Sequence, residues 1–168
     1  MIRFSTRGEY GLRMMMDLAR HYGAGPESLA EIAKHEGLPM AYLEQLVGGL
    51  RKAGLVNSRH GAHGGYELTR PPALISVGEV MRVLEGPISP MVCATEGETE
   101  IACERQTFCS ANLVWERVRD SVAQALDSLT LADLVPPRIS QSTLHENDAI
   151  AVQTVAPAIS DGRKATRV

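Results

Sequence analysis

Three times in the first 80 residues a serine or threonine is followed three positions later by glutamate: Thr6/Glu9, Ser28/Glu31 and Ser76/Glu79. In a capping box the hydroxyl accepts from the backbone N–H of the third helical residue while the carboxylate reaches back to the cap. Each pair therefore predicts a helix start. The first helix is expected to run to about Tyr22, with Tyr10, Met14, Leu18 and Tyr22 at i+4 spacing on one face. The second covers Leu29 to Glu36 and stops at Gly37, a C-terminal glycine. Pro39 fits the first turn of a third helix that reaches Ala53, with Leu43, Leu46, Val47 and Leu50 inward. Two short β-prone runs, LVNSR (55–59) and YELT (66–69), flank HGAHGG (60–65) and read as a hairpin. A fourth helix spans Val77 to Glu85 and ends at Gly86-Pro87. From Ser110 to about Leu129 an apolar stripe of Leu113, Val114, Val118, Val122, Leu126 and Leu129 predicts a long helix, with one more turn at 130–134. That stripe needs a partner surface, either the N-terminal unit or the same helix of a second subunit.

The expected fold class is mainly α: a winged helix-turn-helix with a short β-hairpin wing, a cysteine loop and a long dimerisation helix. Residues 1–72 form the winged helix, 73–135 the linker helix, cysteine loop and dimerisation helix, and 136–168 a disordered tail of mixed charge and weak periodicity. The first residues, MIRFSTRGEY, hold no apolar signal core, and no apolar run approaches the roughly 18 residues that span a bilayer. A cytoplasmic location without membrane attachment is expected, where grouped thiols bind metal or do redox chemistry more often than they form disulfides. The chain holds three cysteines, Cys93, Cys103 and Cys109, all within the polar segment Met91–Ser110. An odd count argues against a disulfide framework. Clustered thiols in a long irregular loop are candidates for soft-metal ligation. Zinc sites usually pair cysteines about two to four residues apart, and neither spacing here matches. A cluster site, a zinc site and a thiol switch all stay open on these residues alone.

Helix, helix, turn, helix, glycine hairpin is the order of a DNA reader whose later helix enters the major groove while the hairpin reaches the adjacent backbone. The net charge of −3 hides an asymmetry, because residues 1–70 carry nine Lys/Arg against seven Asp/Glu, a local +2. Ala41, Tyr42, Glu44, Gln45, Arg51 and Lys52 form the outward face of the third helix. Gln pairs bidentately with adenine, and Glu accepts from the cytosine amino group. Arg59, His60 and His63 on the wing are candidates for phosphate or minor-groove contacts. The competing reading is an interaction domain on which these polar groups form a solvated face. No nucleophile–base pair or phosphate loop appears, so an enzyme is not expected.

FSTRGEYGLRMMMDLA, LAEIAKHEGLPMAYLEQLVGGLRKAGLV, HGAHGGYELTRPP, ISVGEVMRVLEGP and the three-cysteine loop followed by a helix ending LTLADLV together resemble the IscR/NsrR-type iron–sulfur winged-helix transcriptional regulators. The likeness runs from residue 1 to about 135. It implies a homodimer on double-stranded DNA with two half-sites, each subunit carrying an iron–sulfur cluster whose state controls transcription. It also implies that Cys93, Cys103 and Cys109 ligate the cluster, 2Fe–2S being favoured over 4Fe–4S, and that Tyr42, Glu44 and Gln45 lie on the recognition helix. The signal would be redox state, iron or cluster status, or nitric oxide. Two departures stand out: His60 occupies a wing position where family members often carry arginine, and Asn112 one where some carry a histidine ligand.

Iron–sulfur clusters usually take four protein ligands. The resemblance makes Glu9, supplied from the partner subunit, the leading fourth ligand, against a rival role in the capping box with Thr6, with Glu104, a histidine or a small external thiol as the other candidates. Two further readings stay open: a zinc- or thiol-switch regulator, and an iron–sulfur carrier or assembly partner that does not bind DNA.

Overall fold

A computed structural model describes residues 4–61, 63–97, 103–104 and 108–135. The tail expected at 136–168 lies outside the described residues. Helices α1 (Thr6–Arg20), α2 (Leu29–Glu36) and α3 (Met40–Lys52) precede an antiparallel hairpin, β1 (Val56–Arg59) and β2 (Gly65–Leu68), in which Val56 faces Leu68 and Arg59 faces Gly65. A 3₁₀ turn (Pro72–Leu74), α4 (Val77–Glu85), a second 3₁₀ turn (Val92–Ala94), α5 (Asn112–Asp127) and the short α6 (Leu131–Leu134) follow.

The start of α1 corrects the sequence reading. Ser5, not Thr6, is the cap, its Oγ accepting from the Arg7 N–H at 3.1 Å. Its own hydroxyl donates to Glu85 Oε1 at 2.6 Å, 80 positions along the chain. This shift of one residue puts Glu9 at the fourth helical position, where it cannot reach back to the cap, so the Thr6/Glu9 box does not form. The helix also stops at Arg20 rather than Tyr22, and Tyr22 is exposed. Gly23 and Gly25 then turn the chain through left-handed backbone, at φ of 81° and 112°. The Ser28/Glu31 box forms in both directions, and Gly37 caps α2 at φ 63°. Pro39 is the cap of α3 rather than its first residue, with φ near the value proline imposes. Ser76 caps α4, but the Glu79 carboxylate turns to Arg70 instead of back to the cap.

Met14, Met15, Ile32, Leu43, Leu50 and Leu55 sit at the centre of the core. Ile75, Val80, Leu84 and Leu131 belong to the same core, which therefore runs across position 72/73 without a break. α1 and α4 pack closely because Gly8 and Gly11 offer no Cβ: one at Gly11 would run into Leu84, and one at Gly8 into Met81 and Glu85. Gly65 is needed for the same reason, its α-hydrogen face lying against the Glu27 carbonyl. That contact seats the wing, because Glu27 and Tyr66 exchange backbone hydrogen bonds of 2.9 and 2.8 Å. After α5 the chain returns to the core, with Val77 N–H donating to Leu129 and Leu131 N–H to Ile75. α5 itself contains no fully buried residue.

Candidate nucleic-acid interface and cysteine site

α3 buries Leu43, Leu46, Val47 and Leu50, the set expected from its spacing. This leaves Ala41, Glu44, Gln45, Arg51 and Lys52 exposed on the opposite face. Tyr42 is a correction. It is half-buried against the core, its ring meeting Tyr10 edge to face at 5.5 Å. Such a pair contributes about 0.5–1.5 kcal/mol beyond area burial, so Tyr42 anchors the start of α3 to α1. On the wing His60 and His63 are exposed. Arg59 is also largely exposed, but its Nε donates to Glu67 Oε1 at 2.7 Å across the hairpin. A surface pair of this kind is worth about 0–1 kcal/mol, so a phosphate could outcompete Glu67 for Arg59.

Cys93 lies half-buried in the 3₁₀ turn that follows α4, next to the fully buried Ala94. The turn closes on itself: Glu96 N–H donates to the Ile88 carbonyl at 2.9 Å, and Ser89 Oγ lies 2.7 Å from Thr95 Oγ1. Arg82 of α4 grips the base of this segment. Its guanidinium donates to both oxygens of Glu96 (2.7 and 2.8 Å) and to both of Asp127 at the end of α5 (2.6 and 2.8 Å). Forked pairs of this kind fix geometry as well as charge. They hold both carboxylates below the usual range and raise Arg82. Cys103 is half-buried and Cys109 exposed; neither is in a disulfide.

Glu9 is largely exposed, with Arg13 as its ion-pair partner at 4.0 Å. With the capping box absent, the rival role for this carboxylate is gone. Asn112 opens α5. Its N–H donates to the Cys109 carbonyl at 3.0 Å and its Nδ2 to Glu116 at 2.8 Å, while its Oδ1 is buried without a hydrogen-bond partner among the described residues. Three unbonded thiols on one segment, two of them half-buried, make a donor set of the kind iron–sulfur clusters use, and the orphaned Asn112 Oδ1 belongs to the residue whose N–H bonds the Cys109 carbonyl. The chemistry of the residues fits such a group.

One group escaped the sequence reading. Asp17, His21, Glu27 and His35 bring their donor atoms within 4.8 Å of one another. Its sole local sign is the i,i+4 spacing of Asp17 and His21; Glu27 and His35 arrive from other elements.

Residues 4–137 match the family model Rrf2, described as an iron-dependent transcriptional regulator. The HTH-type transcriptional regulator CymR of Bacillus subtilis is 47% identical over 133 residues, covering 79% of this chain and 89% of that protein. IscR of Escherichia coli is 34% identical over 134 residues, 80% of each chain. Among solved structures, CymR, titled the global cysteine regulator of B. subtilis, superposes with a TM-score of 0.65 at 47% identity, covering 80% of this chain and 96% of that one. T. potens IscR gives 0.64 at 46% identity, covering 79% and 85%. No helix among the described residues is long and apolar enough to cross a membrane.

Proposed function

Because the chain belongs to the Rrf2 family of transcriptional regulators, we propose that it is a homodimeric repressor or activator whose DNA binding is set by an iron–sulfur cluster held at Cys93, Cys103 and Cys109. The observation that carries this reading is the joining of a thiol-bearing segment to a helix-turn-helix through Arg82, in a chain similar to IscR. Glu9 of the partner subunit supplies the fourth ligand. When bound, the cluster supplies a centre sensitive to oxidation, iron supply and nitric oxide, 2Fe–2S being favoured.

The chain's own residues transmit the state of that segment. Arg82 couples Cys93's turn to α4 and α5; α4 packs through Leu84, Met81 and Glu85 onto Gly11 and Gly8 of α1; Tyr10 of α1 holds Tyr42 at the start of α3. A shift of the cysteine segment therefore biases the pitch of α3 and the spacing of paired recognition helices, set for half-sites about one DNA turn apart. Glu44 and Gln45 read base edges, while Arg51, Lys52, Arg59, His60 and His63 contact the backbone and groove.

Operator fragments selected from random DNA test this. Binding is expected to weaken steeply with salt, by roughly 0.9 log units of affinity per phosphate contact for each tenfold increase. Gln45→Ala should lose about 10- to 100-fold on its best site and relax preference at one base position per half-site. A Gln45→Ala loss spread evenly over all sequences would remove base reading by this residue, and no selection of any operator fragment would point to the carrier role instead.

A second reading draws on CymR, described as a cysteine regulator: free, partly exposed thiols also suit a metal-free redox switch. Sulfide bound with iron separates the two.

A further inference from the structure

We propose that Asp17, His21, Glu27 and His35 form a second metal site, built for one divalent transition ion of the zinc type, outside the cysteine segment. The four donors come from three places: Asp17 and the cap residue His21 from the end of α1, Glu27 from the bridge to the wing, and His35 from α2. His21 Nδ1 lies 3.9 Å from Asp17 Oδ1 and 2.8 Å from Glu27 Oε2; His35 Nδ1 lies 3.3 Å from Asp17 Oδ2 and 3.1 Å from Glu27 Oε1. Four donors at bonds of about 2.0–2.2 Å around a tetrahedral ion stand roughly 3.4 Å from one another, and the observed spacings straddle that value.

Burial gives the second, independent sign. Asp17 is 2% exposed and Glu27 8%. Glu27 Oε2 is buried and receives no aligned hydrogen bond among the described residues: His21 Nδ1 lies 2.8 Å from it but also 3.0 Å from the Asp17 backbone carbonyl oxygen. A buried carboxylate oxygen in that state is costly unless a cation completes it. Two carboxylates and two neutral imidazoles around a divalent ion sum to zero charge. Arg20 also donates to Asp17 Oδ1 at 3.3 Å, but it shares its charge with Glu36. The imidazoles stack at 5.5 Å, presenting their Nδ1 atoms to the same pair of acids. Both are more than one-third exposed, and a cleft of about 280 Å³ lined by His21, Glu27 and Tyr66 gives an ion access.

Mixed imidazole and carboxylate donors favour zinc, iron(II) or cobalt(II) over calcium or magnesium. The bound ion would clamp α1 to α2 and, through the Glu27–Tyr66 bridge, to the wing. The test titrates zinc by calorimetry into full-length protein with Cys93, Cys103 and Cys109 replaced by serine. One zinc per chain and a higher Tm are expected. Glu27→Gln and His35→Ala should each weaken binding by more than the roughly 10- to 100-fold that loss of an outer-shell partner costs. If the triple-serine chain is unfolded by circular dichroism, cobalt(II) is titrated into wild-type protein instead. Tetrahedral d–d bands without a thiolate charge-transfer band, lost in His35→Ala, support the site. Zinc or cobalt binding unchanged by both substitutions, or no stoichiometric binding, overturns it.

Discussion

Val122→Glu is expected to convert the proposed homodimer into a folded monomer. Trp115, Val118, Val122 and Leu126 of α5 line, with Phe4 and Met81, an open groove of about 440 Å³. Phe108, Leu113 and Val114 nearby are 71%, 68% and 56% exposed. Among the described residues α5 carries an apolar stripe and no buried residue, and in the proposed homodimer a second copy of the helix would cover it. A carboxylate in the middle of that interface would be buried without a counter-charge. Central interface residues carry about 2–4 kcal/mol each, which converts to a dimer Kd weaker by roughly 30- to 700-fold. In the monomer, position 122 stays half-exposed and glutamate is a good helix former, so the fold survives. Sedimentation velocity should report the monomer, with the circular dichroism spectrum unchanged. Affinity for two-half-site operators should collapse with it. A variant that sediments as the wild-type dimer would place the interface elsewhere.

Arg82→Ala is expected to remove about 2 kcal/mol of stability at neutral pH and to loosen the cysteine segment. Four charge-assisted hydrogen bonds are lost, and Glu96 and Asp127 are left facing each other without their shared cation. Asp127 is 45% exposed and Glu96 28%, so water screens much of the repulsion and holds the figure down. The sign of the pH dependence follows from the carboxylates. Both are lowered in the folded chain, chiefly by hydrogen bonding to Arg82. Their contribution is fully present above the unfolded carboxylate pKa, near 4, and is lost as pH falls through the lower folded values. Wild type and Arg82→Ala should therefore differ most in Tm at neutral pH and converge below about pH 4. Arg82→Lys keeps the charge without the fork and should restore only part of the difference. Equal Tm values from pH 7 to pH 3 would remove Arg82 from the coupling between thiols and reading helix.

The helices were legible where both partners of a signal lie close in sequence. Ser28/Glu31 and Gly37 bound α2 as read, and Val77 to Glu85 matches α4 to the residue. The misreading at Thr6 has a tertiary cause: Ser5 wins the cap while bound to Glu85, a contact that no local pattern encodes. Tyr42 was assigned to the outward face because its partner Tyr10 lies in another helix. The stripe on α5 was readable, whereas its exposure was not, because periodicity reports an apolar face without naming what covers it. The thiols were legible as donors from their grouping. The four-residue site at Asp17 was not, because its convergence depends on the packing of α1, α2 and the wing.

The most direct measurement is iron and acid-labile sulfide in protein purified without oxygen. Iron and sulfide are expected together in near-equal amounts, with both lost in Cys93→Ala, Cys103→Ala and Cys109→Ala. Zinc at the three thiols without sulfide, or three freely titrating thiols and no iron, would contradict a cluster-controlled regulator.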